Sequence, residues 1–311
     1  MAIITGIKKV VKNPYNVIPI LNSLRLINWM PDRVFIKLRY KAYMGQSLNL
    51  EEPVLFTEKL QWLKLHNRKQ ENSILVDKYE VHQYLAKRFG EKYLIPITGV
   101  WDRFDDIDFS RLPEQFVLKC THDSGGIVFC TDKSSFDIVA AKKKLEKCMK
   151  RNYYWSFREY PYKDVKPRII CEKLMVDESG IELKDYKLFC FNGNPKFVLV
   201  DFDRINGHKR NIYNTDWQSV PFVMNRFYPD PDVTFSKPAC FDEMLDIASQ
   251  LSRDHPFLRV DFYIINEELF IGELTFFPGA GLIIFEPREY DRLLGELLEL
   301  PETTSIDLVG E

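Results

Sequence analysis

Residues 259–281 read RVDFYIINEELFIGELTFFPGAG. Two apolar runs flank Asn266-Glu267-Glu268, which predicts two short strands joined by a tight turn. Side chains along a strand repeat their direction every second residue. Arg259 and Asp261 therefore share one face, and so do Glu273 and Thr275. Folded back, the hairpin brings together two carboxylates, a guanidinium and a hydroxyl. Pro278-Gly279-Ala280-Gly281 follows at once, where backbone approaches a ligand closely. Paired carboxylates on rigid strands beside an arginine suit Mg²⁺ bridging polyphosphate oxygens. The same pattern also suits a surface hairpin with its charges in water, so the rest of the chain has to decide.

Residues 116–130, FVLKCTHDSGGIVFC, form a second centre. Residues 116–120 and 127–130 read as strands around the flexible turn THDSGG. Lys119 sits in an otherwise apolar strand, and a buried charge is costly without a partner. Gly125 and Gly126, following Ser124, let backbone N–H groups wrap an anion. Lysine beside such a loop suits a nucleoside triphosphate, although the Gly-Lys-Ser/Thr ending of a P-loop is absent. An ordinary hairpin whose lysine reaches water is the alternative. Upstream, residues 77–90 predict a helix opened by Asp77 and Glu80 as a capping box and closed by Gly90. Lys78 then lies in the first turn, the helix end that favours anions.

The chain has 311 residues, enough for one large or two ordinary domains, and 45% are hydrophobic, as in ordinary globular proteins. A net charge of −2 gives no reason to expect nucleic acid. Six cysteines without a CxxC pair predict reduced, mostly buried thiols in a reducing compartment, and five scattered histidines show no metal-ligand spacing. No apolar run approaches a membrane span, and residues 1–30 lack the layout of a secretion signal. A packed N-terminal helix is expected there, with a peripheral membrane contact as the alternative.

Residues 1–75 read as mainly helical, with one helix over 31–44 burying Val34, Phe35, Leu38 and Ala42 and another from Thr57 burying Leu60, Trp62 and Leu63. Residues 134–151 predict an amphipathic helix with Phe136, Val139, Ala140, Leu145, Cys148 and Met149 inward. Strands follow at 168–176, 185–191 and 196–203, with turns at 177–180 and at Asn192-Gly193-Asn194-Pro195. Residues 204–240 read as loop-rich, 241–253 as a helix burying Phe241, Met244, Leu245, Ala248 and Leu251, and 288–300 as a last helix before a frayed tail.

Taken in order, Lys78, Lys119 with its glycine loop, Glu172-Lys173, Asp185, Arg259, Asp261 and Glu273 resemble the ATP-grasp superfamily, and within it the TupA-like, teichuronopeptide-biosynthesis branch. The phrases that carry the resemblance are FTEKLQWLKL, DKYEVHQYL, LPEQFVLKCTHDSGG, PRIICEKLM, DYKLFCFNGNPK, RVDFY and GELTFFPGAG, spread over residues 30–300. The resemblance implies an α/β (α+β) fold in which two mixed-sheet subdomains clamp ATP behind a mainly helical N-terminal region. The implied division is a helical region 1–75, a lid subdomain 76–180, a C-terminal subdomain with the metal site 181–301, and a tail 302–311. It implies that Lys78, Lys119, Ser124, Gly125 and Gly126 hold the phosphates. Glu172, Lys173 and Leu174 would meet adenine, and Asp185, with Glu178 as a rival, the ribose. Asp261, Glu273 and Thr275 would hold Mg²⁺, with Arg259 and Lys119 beside the transferred phosphoryl group. Thr275 stands where the superfamily often has Asn.

The activity implied is an ATP-dependent carboxylate–amine ligase that forms an amide through an acylphosphate. The branch suggests a uronic acid of a cell-surface, capsular polysaccharide as the carboxylate and an amino acid as the amine, handled in the cytoplasm or at the inner face of the membrane. Arg204, Lys209 and Arg210, with Pro278 and Gly279, are candidate contacts for the acidic acceptor. A competing reading takes Asp201-Phe202-Asp203 after an apolar strand as the DxD of a metal-dependent glycosyltransferase.

Overall fold

A computed structural model of the protein describes residues 14–176 and 183–302. The expected turn at 177–180, Glu178, the first thirteen residues and the tail from 303 lie outside the described residues. The first sheet comprises β1 (Ile97–Trp101), β2 (Phe116–Cys120), β3 (Ile127–Cys130) and β4 (Ile169–Lys173) in the order β1-β4-β2-β3. The second comprises β5 (Asp185–Phe191), β6 (Asn194–Phe202), β7 (Lys209–Asn214), β9 (Phe257–Ile265) and β10 (Glu268–Thr275) in the order β10-β9-β5-β6-β7. Between them in sequence, β8 (Val223–Met224) pairs with β11 (Phe285–Glu286). Every ladder among the described residues is antiparallel, which corrects the expectation of mixed sheets. For β2–β3, β5–β6 and β9–β10 the reason is the short hairpin connection, which leaves no room for the long crossover that a parallel pair needs.

The helix Lys78–Phe89 begins as expected at Asp77, whose carboxylate accepts from the N–H groups of Tyr79 and Glu80. Glu80 departs from the capping box: its carboxylate is bonded to Arg168 at 2.7 Å. In the helix Ile138–Met149 the apolar stripe is Ala141, Leu145 and Cys148, while Val139 and Ala140 face water. The helix starts four residues later than expected, after a short turn at Lys133–Ser135, and this moves those two residues off the buried face. Val34 is likewise exposed, and Ile36 and Tyr40 take its place in the core beside Phe35. In the helix Phe241–Ser252, Ile247 rather than Leu245 completes the buried stripe.

Asn192 and Gly193 alone make the β5–β6 turn, with φ of 48° and 81°, and Asn194 and Pro195 already belong to β6. Residues 209–214 form an edge strand where loop was expected. KRNIYN is too polar to read as a strand, but at a sheet edge only one side of the ladder needs pairing.

Two cores hold this arrangement. One face of the first sheet packs Phe116, Leu118 and Cys171 against Ala141, Leu145 and Cys148 of the 138–149 helix. The second sheet shares its core with the N-terminal helices: the ring of Phe56, at the start of the helix Phe56–His66, meets those of Phe191 and Phe257 at tilted and edge-on angles, with centroids 5.6 and 5.1 Å away. That helix is capped from another part of the chain, Asp291 accepting from both the N–H and the hydroxyl of Thr57. All six cysteines are unbonded, and five are buried. No helix among the described residues is long and apolar enough to cross a membrane.

Candidate active site

The register of the second sheet lays out a row of charges. Arg210 on β7 faces Asp201 on β6, and Asp201 faces Asp185 on β5. Two residues along β5, Lys187 faces Asp261 on β9, which faces Glu273 on β10. Glu273 reaches this position through a bulge, since the register slips between Ile271 and Glu273. Gly272 at the bulge lies under the Tyr263 ring, and a Cβ there would come within 2.6 Å of it.

The ion pairs along the row differ in kind. Asp201 is 1% exposed and fully engaged, by Arg210 Nε at 2.5 Å, Arg210 Nη2 at 2.9 Å and Lys187 Nζ at 2.7 Å. Burial pushes its carboxyl up, but Arg210 and Lys187 outweigh that and hold it far below the usual range. Asp185 is bonded to Lys187 and Arg204. Arg259 grips Asp261 with both arms, Nε and Nη2 each 2.6 Å from a carboxylate oxygen. Desolvation also pushes Glu273 up, yet Lys78, Arg259, Lys187 and Lys119 surround it and hold it below its ordinary value.

Two cavities open on either side of Glu273. One, of about 120 Å³, lies between the sheets and is walled by Val76, Leu85, Leu94 and Ile271 with Lys78, Lys119 and Glu172. Lys119 and Glu172 form an ion pair within it. The other, of about 440 Å³, is bounded by Arg259, Glu273, Thr275, Ser124 and Gly279 together with Arg39, Tyr153, Glu159 and Tyr162.

Lys78, Lys119, Glu172 and Glu273 thus meet in one cavity, and Ser124, Arg259, Glu273, Thr275 and Gly279 meet in the next. Lys173 and Leu174 instead line an open groove with Pro96 and Gln115. In the glycine loop, the Gly125 N–H donates to Asp123 at 3.1 Å, and Lys78 Nζ donates to the Asp123 carbonyl at 2.7 Å. Gly126 is buried, and a Cβ on it would meet Cys120 Sγ at 2.7 Å, so packing alone requires a glycine there. Asp185, Arg204 and Arg210 belong to the charge row, Lys209 lies beside it on β7, and Pro278 is buried. The DFD triplet offers no open carboxylate at Asp201, which removes the metal pair that the glycosyltransferase reading needs.

Several residues of the site had not been expected. Lys187 is the pivot of the charge row, and its signal was present: a lysine in the apolar run DYKLFCF, as at Lys119. Burial pulls its pKa down against the attraction of Asp261 and Asp201. Glu159 is 4% exposed, and burial pushes it up to about 7 despite Lys64. Lys64 and Gln61, from the 56–66 helix, donate to the Ala280 carbonyl at 2.7 and 3.1 Å, and Gln61 also to that of Gly281 at 2.8 Å. They hold a loop whose residues 279, 280 and 281 all have positive φ, 57°, 57° and 65°.

Among the described residues no group of three or more His, Cys, Asp or Glu side chains forms a ligand set. Mg²⁺ is commonly held by one or two carboxylates with substrate phosphates completing its shell. Glu273, which opens on both cavities with the Thr275 hydroxyl 3.4 Å away, fits that requirement; Asp261 is its partner across the hairpin, but both its oxygens are held by Arg259, so it could join Glu273 only by exchanging that pair for the ion.

The sequence model of the family described as TupA-like ATPgrasp matches residues 58–299. No curated protein matches the chain. Among solved structures the chain is similar to a D-alanine–D-alanine ligase from Helicobacter pylori, at 13% identity, 77% of this chain, 62% of that one and a TM-score of 0.38. N5-carboxyaminoimidazole synthetase from Staphylococcus aureus matches at 15% identity, 65% of this chain, 44% of that one and a TM-score of 0.39. A D-alanine–D-alanine ligase from Bacillus anthracis complexed with ATP matches at 11% identity, 77% of this chain, 65% of that one and a TM-score of 0.41. The chain spans less than two thirds of the length of each of these three. With the family match running from the 56–66 helix to beyond the last helix, the chain belongs to the TupA-like ATP-grasp family.

Proposed function

We propose that the protein is an ATP-dependent carboxylate–amine ligase. The observation that carries this reading is the convergence of Lys78, Lys119, Lys187 and Arg259 on Glu273, at the wall shared by two cavities. Cations gathered at one point suit a polyphosphate, and two cavities meeting there suit a phosphoryl group passing from one ligand to another. The nucleotide occupies the cleft between the sheets, with Lys78, Lys119 and the loop 124–126 at its phosphates, Glu172, Lys173 and Leu174 toward adenine and Asp185 toward ribose. The lid, residues 76–180, and the C-terminal unit, 181–301, close on it. Glu273 and Thr275, with Asp261, would hold Mg²⁺, which would supply charge neutralisation at the phosphates.

A substrate carboxylate held beside Arg259 attacks the γ-phosphorus of ATP, and ADP leaves. Arg259 and Lys119 stabilise charge on the group in transit. An amine then attacks the acyl carbon; the C–N bond forms, the C–O bond to phosphate breaks, and the amine gives up a proton. Positioning dominates such chemistry, which is consistent with a site built on two adjoining strands. The carboxylate belongs to a uronic acid of a cell-surface glycan or its precursor, and the amine to an amino acid. The reaction runs in the cytoplasm, at the inner face of the membrane where such glycans are assembled.

The test is ADP release across amino acids paired with a panel of uronic acids, read with the product mass. ADP should require both substrates, the product should gain one amino acid less water, and hydroxylamine should yield a hydroxamate. Consumption of a sugar nucleotide without ATP would defeat the ligase reading.

A further inference from the structure

The 440 Å³ cavity contains a cation with no counter-charge. Arg39 projects into it from the helix Asp32–Met44, ahead of the family-matched span. Its guanidinium lies over the Phe157 ring, 5.1 Å from the centroid, and its Nε is buried without a hydrogen-bond partner. No carboxylate among the described residues pairs with it. The neighbouring arginines each have a carboxylate: Arg68 and Arg259 are hydrogen-bonded to Asp32 and Asp261, and Arg158, whose Nε also lacks a hydrogen bond, lies 3.0 Å from Asp32 as an ion pair. A guanidinium carries five donors in a planar fork; Arg39 is half-buried and its Nε alone is shut off unpaired, a cost that a ligand in the cavity would remove. The matching ligand is a carboxylate, which accepts two parallel bonds from such a fork.

The other walls fit the same ligand. Glu159, buried in the same cavity, offers an acceptor for an ammonium group, and Tyr43, Tyr153 and Tyr162 offer aromatic faces with hydroxyls. We propose that Arg39 is the carboxylate anchor of this cavity, receiving a substrate carboxylate other than the one activated beside Arg259. A zwitterionic amino acid meets the pair Arg39 and Glu159 most directly, and a uronic acid offers the same carboxylate. The proposal rests on the ligase reading for its place in the reaction, but not for the binding itself.

Saturation-transfer NMR on the full chain, with Mg²⁺ and a non-hydrolysable ATP analogue, tests it. The probes are L-amino acids, their carboxamides, glucuronic and galacturonic acids, and the matching neutral sugars. One class of acid should bind, and its uncharged counterparts should bind at least about tenfold more weakly, the scale of one charge-assisted hydrogen bond. Arg39→Met should lose that preference and Arg39→Lys recover part of it, with the nucleotide-induced thermal shift reporting an intact fold. Should Arg39→Met not fold, Arg39→Lys and the comparison of acids with uncharged probes decide. Binding of no acid, equal binding of acids and uncharged probes, or an unchanged preference in a folded Arg39→Met would overturn the anchor. Which acids respond assigns the source of the carboxylate. ADP release is followed in parallel samples with ATP. Arg39-dependent binding without ADP release from any pair overturns the ligase reading and leaves the anchor standing; ADP release without Arg39 dependence does the reverse.

Discussion

Lys119 and Lys187 are each a lysine in an apolar strand, and the structure satisfies them differently. Lys119 reaches a single carboxylate, Glu172, at the wall of the 120 Å³ cavity, whereas Lys187 is buried between Asp185 and Asp201. Their substitutions should therefore separate function from stability. Lys119→Ala should keep the fold and lower turnover by roughly 10²-fold, the scale of one preorganised charge contact; unchanged ATP affinity and turnover would remove Lys119 from the site. Lys187→Met leaves two carboxylates facing each other inside the sheet and should destabilise by roughly 3 kcal/mol or more, as when one partner of a buried pair is lost. Urea denaturation reads this as a lower midpoint, and an unshifted midpoint would mean that Arg204 and Arg210 satisfy the carboxylates without it. Lys187 carried the same signal as Lys119, a lysine in an apolar run, but its partners were hidden: the turn at 192–193 is two residues shorter than the sequence suggested, and turn length sets which residues of β6 face β5. Arg39 and Glu159 were not legible. They lie 120 residues apart on an ordinary amphipathic helix and an aromatic segment, and only tertiary packing gives them a common cavity.

Among the elements, the hairpin 257–275 could be read because period-two alternation carries both its strands and the facing of its charged residues. Its bulge could not, since only the pairing register reveals it. The edge strand β7 was hidden by its polarity, and the start of the 138–149 helix by a short turn that shifts its phase. A close backbone approach of the last helix to the start of the 56–66 helix is also invisible in sequence. At Gly295 of the helix Glu289–Leu297, a Cβ would lie 2.1 Å from the Val54 carbonyl oxygen and 2.8 Å from the Phe56 nitrogen. Both are backbone atoms and have nowhere to go. Gly295→Ala should therefore cost about 1–3 kcal/mol, as overpacking does, despite alanine's better helix propensity. A thermal or urea midpoint at or above that of the parent would show that the helices can part.

Across the whole molecule, a second contact ties the last helix to the 56–66 helix. Asp291 caps the 56–66 helix through Thr57, and burial pushes its carboxyl up to about 6 against those two hydrogen bonds. A carboxyl that is more basic folded than unfolded stabilises the native state while protonated. Its contribution is present below about pH 4 and is lost as pH rises through about 6. Stability of the parent relative to Asp291→Asn should therefore fall by up to about 3 kcal/mol across that interval; a difference that stays flat with pH would show that the carboxyl is not perturbed. Gln61 and Lys64 tie the two ends of the chain in a second way, reaching across 220 and 216 residues to the carbonyls of Gly281 and Ala280. The helical front end is therefore not an exchangeable cassette. A chimera whose front segment lacks a donor at position 61 or 64 leaves the carbonyls of Ala280 and Gly281 unpaired in a loop held in left-handed backbone, and it keeps the 440 Å³ cavity without the struts that shape it. Positions 61 and 64 and the segment 278–281 therefore act as one heritable unit split between distant parts of the gene.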